Sequence, residues 1–143
     1  MVETNSLGLT VTLRSSHTEQ EGGSNVSTRA EDLATKVEQS LKDLLAAVEA
    51  STPEQCAARC SDGEWTQGFS AYHAAMNIGP ITQTVKGVAD GQPFPGMSME
   101  SIDADNAVQA TEHAGCTVSE TVDLLKDSAP AAVSMVRSLR RSA

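Results

Sequence analysis

Apolar residues recur at intervals of three and four positions from Leu33 to Val48, a spacing that places them on one face of an amphipathic helix. Thr28 and Glu31 stand immediately before this run in the pattern of a capping box, in which a hydroxyl and a carboxylate satisfy free amides at a helix start. A proline disfavours helix in the residue before it, and Pro53 follows the run. The pattern therefore predicts a first long helix that begins at Thr28 and ends shortly before Pro53.

A second long helix is predicted from Thr66, its N-cap, to about Ala89, after a short helix that starts at Thr52-Pro53 and runs to about Cys60. The apolar face of the long helix changes at Pro80, because proline removes a helical hydrogen bond and bends the chain. Its first half presents Phe69, His73 and Met76, and its second half presents Ile78, Ile81, Val85 and Val88.

Two further helices are predicted in the last third of the chain. One starts between Ser98 and Glu100 and runs to about Ala114, and the other starts at Thr117 with a second capping box. The inward stripe of the first is mostly polar and consists of Ile102, Asn106, Gln109 and His113. All ordered segments are thus predicted to be helical, and their short connections favour an antiparallel bundle.

Residues 1–27 differ from the rest, since they contain a polar Gly- and Ser-containing stretch without apolar periodicity. Such a stretch buries too little apolar surface to offset the entropy lost on ordering. We therefore interpret residues 1–27 as a flexible N-terminal leader and residues 28–143 as the helical bundle domain.

The chain of 143 residues carries a formal net charge of -9, which argues against a nucleic-acid partner and against attraction to an anionic membrane. No apolar run approaches the roughly 20 residues that span a bilayer, and the N-terminus lacks the pattern of a signal peptide. The expected location is therefore cytoplasmic. The three cysteines Cys56, Cys60 and Cys116 are interpreted as reduced thiols in that compartment.

The segment from Glu64 to His73 carries the most specific motif. Trp65 is followed by Thr66 and by an amphipathic stretch that ends at His73, eight positions after the tryptophan. With the preceding amphipathic helix and the Thr-capped last helix, this pattern resembles the DinB-like family over roughly residues 28 to 141.

The resemblance implies an up-down four-helix bundle that often holds a divalent metal through three histidines, one of which matches His73. The other two normally form a His-x-x-x-His pair on the last helix, where that spacing puts both imidazoles on one face. The histidines of this sequence are His17, His73 and His113, and none forms such a pair. The expected fold is therefore all-α, a DinB-like bundle truncated to about three long helices by the loss of its C-terminal helix.

His73 and His113 are the candidate metal ligands, for Zn, Ni, Fe or Mn, with Asn106 and Gln109 available to orient His113. The alternative for His73 is a half-buried histidine hydrogen-bonded to a polar neighbour, and for His113 an ordinary polar network. Glu64 is a candidate general base or, more simply, a carboxylate at a helix N-terminus.

Trp65 is expected to anchor the second long helix against the first, with a wall of a substrate site as the alternative. Cys56 and Cys60 share a helix face and could join Cys116 or His73 in a zinc site, although core thiols are the simpler interpretation.

Two classes of function follow from these expectations. Related branches of the family use low-molecular-weight thiols such as mycothiol or bacillithiol, so the resemblance implies a metal-dependent hydrolase or thiol-dependent transferase, with an incomplete metal site and an unknown catalytic residue. The alternative is a non-catalytic helical module that binds a small apolar ligand or self-associates. Three helices leave part of each apolar stripe uncovered, and a homodimer or the N-terminal leader would cover it.

Overall fold

A computed structural model describes residues 19 to 139 as an all-α structure, which confirms the predicted fold class. Within that range the only β-type pairing is an isolated bridge between Arg59 and Thr66. The five helices are α1 (Glu19–Glu49), α2 (Pro53–Ala57), α3 (Gln67–Ala89), α4 (Met99–Glu112) and α5 (Val118–Ser138). None of these helices is long and apolar enough to cross a membrane.

The starts of α2 to α5 are set by hydroxyl side chains that accept hydrogen bonds from free amides in the first turn. Thr66 accepts from the amide of Phe69 at 3.1 Å, and Ser98 accepts from that of Ser101 at 3.1 Å. Thr52 and Thr117 belong to complete capping boxes with Gln55 and Glu120. The structure confirms these four predicted starts. They could be predicted because each helix cap involves only a few neighbouring residues.

The start of α1 differs from the prediction, because this helix begins at Glu19 rather than at Thr28. No proline stands between these positions, so nothing in the backbone prevents the helix from continuing towards the N-terminus. A capping sequence favours a helix start only if the preceding chain is not already helical. The predicted leader of residues 1–27 is therefore helical from residue 19 onwards, and residues 1–18 lie outside the described part.

Helix α5 packs against both α1 and α3 and is the shared partner of the two other long helices. One cluster of buried side chains joins Val48 of α1, Ala75 of α3 and Leu125 of α5. A second cluster joins Ala34 of α1 with Val133 and Val136 of α5. The core therefore runs along α5, which has more buried residues than any other helix of the described chain.

The apolar stripe on the second half of α3 remains mostly exposed, in agreement with the expectation that three long helices leave part of each stripe uncovered. The side chain of Ile81 is 60% exposed, and Val85 and Val88 are also exposed. Phe94 and Met97, in the connection after α3, are exposed as well. No residue of α4 is buried. This side of the molecule therefore has apolar side chains without a packed partner in residues 19–139.

Candidate functional site

The loop between α2 and α3 positions the Trp-Thr motif through a compact set of main-chain hydrogen bonds. The amide of Cys60 donates to the carbonyl of Trp65 at 2.8 Å, and the amide of Gln67 donates to that of Ala58 at 2.8 Å. Inside the loop, Gly63 has a φ of 76°, a left-handed conformation that favours glycine. These bonds return the chain to the start of α3 with Trp65 directly before the N-cap.

Trp65 packs on the first turns of α3, where it contacts both Phe69 and His73. Its ring centroid lies 4.9 Å from that of Phe69 in an edge-to-face arrangement and 4.8 Å from that of His73. Phe69 is buried, whereas Trp65 and His73 are half-buried. The motif therefore forms a local aromatic cluster that holds one face of the His73 ring.

Asn77, one turn after His73, supplies the polar neighbour of the histidine. Its side-chain amide donates to the main-chain carbonyl of His73 at 2.8 Å, and the same nitrogen lies 3.3 Å from both ring nitrogens. An amide that donates to a ring nitrogen uses the lone pair that a metal would need. The arrangement is thus typical of a half-buried histidine held by a neighbouring side chain, the simpler of the two interpretations from sequence.

His113, the second candidate ligand, is the C-cap of α4 and contacts Tyr72 rather than the aromatic cluster. The ring centroids of Tyr72 and His113 are 4.9 Å apart. Tyr72 directly precedes His73 in α3, so the structure brings the end of α4 next to the same turn of that helix. The predicted inward stripe of α4 is also the half-buried face, comprising Ile102, Asn106, Gln109 and His113.

Gln109 was predicted to orient the ring of His113. The amide of His113 donates to the main-chain carbonyl of Gln109 at 2.9 Å, which is an ordinary helical hydrogen bond and does not involve either side chain. The side-chain oxygen Oε1 of Gln109 is buried and has no hydrogen-bond partner in the described part of the chain. Buried acceptors of this kind are uncommon, since leaving one unpaired costs about 1–3 kcal/mol. Among the described residues, the polar stripe of α4 therefore contains a buried hydrogen-bond acceptor that is left unpaired.

The residues that could hold a metal do not assemble into a complete donor set. From residue 19 to residue 139, no three histidine, cysteine, aspartate or glutamate side chains come together as a possible metal site. A structural zinc site takes four protein ligands and a catalytic one takes three. A metal site at His73 or His113 would thus need ligands beyond those that this part of the chain brings together.

The other candidates have mainly structural surroundings. Glu64 is exposed, its main-chain carbonyl accepts from Arg59 at 2.7 Å, and its amide donates to Asp62 at 3.2 Å. The Cys60 thiol lies 3.1 Å from the Ser70 hydroxyl. All three cysteines are free and half-buried.

Sequence reasoning missed two features of this region. Asn77 stands four positions after His73, so helical spacing alone could have indicated the contact. The second feature is a cleft that Cys56 and Cys116 line without Cys60, and it depends on packing between distant segments that no local pattern reveals.

Searches against protein-family models, curated proteins and solved structures found no match to this chain.

Proposed function

We propose that this chain is a non-catalytic helical module that self-associates through the second half of α3. The observation that carries the proposal is the exposed apolar stripe of Ile81, Val85 and Val88. These residues stand at intervals of four and three, so they lie on one face of the helix. Exposed apolar surface of this kind marks interaction sites when it is contiguous.

A second copy of the chain is a suitable partner for this stripe, because the charges beside the stripe on one copy can pair with the opposite charges on the other copy. Lys86 and Asp90 form an ion pair at the end of α3, so the stripe is flanked by one cation and one anion. A patch with both signs is self-complementary across a two-fold axis. The exposed side chains of Phe94 and Met97 directly follow α3 and would extend the apolar area towards the roughly 800 Å² per partner of a stable dimer.

The α4 side suits a second copy less well. Helix α4 (Met99–Glu112) contains four acidic residues and no lysine or arginine. Two such surfaces would repel each other, since like charges brought together at an interface are unfavourable. Charge thus favours the α3 stripe over α4 as the contact between copies.

Light scattering coupled to size-exclusion chromatography tests the proposal. The wild-type chain is expected to elute as a dimer, and Ile81→Glu is expected to elute as a monomer because the stripe then carries a charge. Val108→Glu is the matched control, since Val108 is an exposed apolar residue on α4. It is expected to remain dimeric. A wild-type chain that stays monomeric at every accessible concentration would refute self-association, and a bound apolar molecule recovered with it would favour a ligand instead.

A second proposal, membership of the DinB-like family with metal-dependent chemistry, is supported by the surroundings of His73. Its ring is half-buried and lies against Trp65, the other residue of the motif. The donor set in the described chain does not fit a three-histidine site. Metal analysis of the purified protein tests this proposal. Near-stoichiometric metal that is lost in both His73→Ala and His113→Ala would support it, and a folded metal-free protein would contradict it.

A further inference from the structure

A cleft lies between α2, the start of α3 and the turn that precedes α5, and two cysteines line it. Cys56 belongs to α2, and Cys116 stands directly before Thr117, the N-cap of α5. The remaining lining includes the small or polar residues Ser51, Gly68 and Thr117. Two segments that are 60 positions apart in the sequence therefore contribute one thiol each to the same opening.

Local hydrogen bonds and close packing hold both cysteines in place. The amide of Cys56 donates to the carbonyl of Thr52 at 3.0 Å, and that of Cys116 donates to the carbonyl of His113 at 3.0 Å. Gly68 allows Cys56 to approach α3, because a Cβ atom at this glycine would lie 3.1 Å from the Cys56 Cβ. Cys56 thus lies in a hydrogen-bonded helix, and Cys116 lies in a hydrogen-bonded turn.

The surroundings of Cys116 favour the protonated form of its thiol. Burial raises the pKa of the Cys116 thiol, and the charges of Glu120 and Cys56 raise it further, against an opposing backbone hydrogen bond. Since the thiolate is the reactive form, the Cys116 thiol reacts more slowly than an ordinary thiol at neutral pH and faster as the pH rises.

We propose that Cys56 and Cys116 form a redox-modification site, in which a low-molecular-weight disulfide oxidises the two thiols to one disulfide across the cleft. One thiol loses its proton and attacks the reagent, forming a mixed disulfide and releasing one reagent thiol. The second cysteine then attacks the protein sulfur of the mixed disulfide and releases the second reagent thiol. The protein loses two hydrogen atoms and two electrons, and the reagent disulfide is reduced to two thiols.

The new bond joins α2 to the turn before α5 and closes a long loop of chain that contains α3 and α4. Closing a long loop restricts the unfolded chain and stabilises the folded one. Oxidation is therefore expected to raise Tm by several degrees, and reduction is expected to reverse the change.

Cys60 provides an internal control. It is four positions after Cys56, but its thiol lies against the Ser70 hydroxyl at 3.1 Å. It does not line the cleft that Cys56 and Cys116 share. Cys60→Ser replaces the thiol with a hydroxyl, so the variant preserves a polar partner for Ser70.

The experiment incubates the full folded chain with glutathione disulfide, blocks the remaining thiols and maps the disulfides by mass spectrometry without reduction. The expected product is a Cys56–Cys116 disulfide in the wild type and in Cys60→Ser, formed faster at higher pH. Cys116→Ser is expected to stop at a mixed disulfide with glutathione on Cys56. A Cys56–Cys60 disulfide as the main product, or three stable mixed disulfides, would overturn the proposal.

A variant that fails to fold does not remove the test, because the wild-type map alone identifies the pair. The same reaction in concentrated urea supplies the unfolded reference. Preference for the Cys56–Cys116 pair in the folded chain, and its loss in urea, is the expected result. Equal pairing in both conditions would show that the fold does not bring these thiols together, and it would leave the proposed self-association through α3 unaffected.

Discussion

The surface along α5 and the second half of α3 contain similar apolar residues, yet only the first is packed. Leu125 of α5 is 1% exposed in a cluster with Val48 and Ala75, whereas Ile81 of α3 is 60% exposed. Both helices have apolar positions at helical spacing. The difference comes from the neighbours, since α5 lies against two long helices and this part of α3 does not gain a comparable partner from α4. A hydrophobic stripe therefore predicts a need for a partner without identifying it.

The largest expected effect comes from removing a buried side chain along α5. Leu125→Ala is expected to lower the free energy of unfolding by about 2–5 kcal/mol, because the lost contacts leave a cavity in a packed cluster. Ile81→Ala, the matched change on the exposed stripe, is expected to change it by less than about 0.5 kcal/mol. Urea unfolding followed by circular dichroism measures both.

Self-association would make the difference in stability between these two variants depend on protein concentration. If the stripe is covered in a dimer, the cost of Ile81→Ala is expected to rise with protein concentration, because unfolding is then coupled to dissociation. The cost of Leu125→Ala is expected to remain large at every concentration. Equal losses in the two variants at low concentration would mean that the two regions are packed alike.

Glycine substitutions are expected to have an intermediate effect. Gly68→Ala is expected to lower the free energy of unfolding by about 1–3 kcal/mol, because the added Cβ lies 3.1 Å from the Cβ and the carbonyl oxygen of Cys56. Gly115→Ala has nothing within 4 Å of the added atom and is expected to be stabilising by about 0.4–1 kcal/mol. Thermal unfolding of the two variants separates the effect of packing from that of chain entropy, and a gain in both would contradict close packing at Gly68.

A smaller effect is expected from the ion pair that joins α1 to α5. The Nε atom of Arg137 lies 2.9 Å from a carboxylate oxygen of Glu31, and both side chains are substantially exposed. Arg137→Ala is therefore expected to lower the free energy of unfolding by about 0.2–1 kcal/mol. Salt is expected to reduce this difference, since exposed charges are screened. Chemical unfolding at low and high salt checks it, and a loss that is independent of salt would indicate packing of the arginine stem instead.

The smallest effect is expected from the capping box of α5. Hydrogen bonds from the amide and the hydroxyl of Thr117 lower the pKa of Glu120 below its ordinary value of 4.5. A carboxyl group with a lowered pKa in the folded state contributes stability above its unfolded pKa and loses it as the pH falls through the folded pKa. The difference between wild type and Glu120→Gln is thus expected to be constant at neutral pH and to shrink below pH 4.5. Unfolding at a series of pH values measures it, and a difference that grows on acidification would contradict the capping role.

Local signals in the sequence identified most of the helices. Thr52, Thr66 and Thr117 predicted helix starts correctly because an N-cap needs only the next three residues. The predicted start of α1 was wrong, because the capping signal at Thr28 is local and the chain before it is helical too. Which apolar stripe is covered depends on contacts between distant helices, which periodicity alone cannot reveal.

The candidate site was predictable to a similar extent. The sequence singled out Trp65 and His73 as parts of one motif, and in the structure their rings are in contact at the start of α3. Whether they serve a metal site remains a prediction, since spacing within one helix says nothing about ligands from other elements. The position of Cys56 and Cys116 along one cleft needs the approach of α2 to the turn before α5, which is a property of the tertiary structure.

The position of α5 as the shared partner of α1 and α3 has a consequence for the order in which the protein matures. A ribosome releases α1 and α3 before α5, and a chain that still lacks α5 exposes the apolar faces of both earlier helices. The nascent chain is therefore expected to reach its packed state only after Leu125 and the turns that follow it have left the exit tunnel. During that interval, the exposed apolar faces of α1 and α3 are the surfaces that a chaperone would bind.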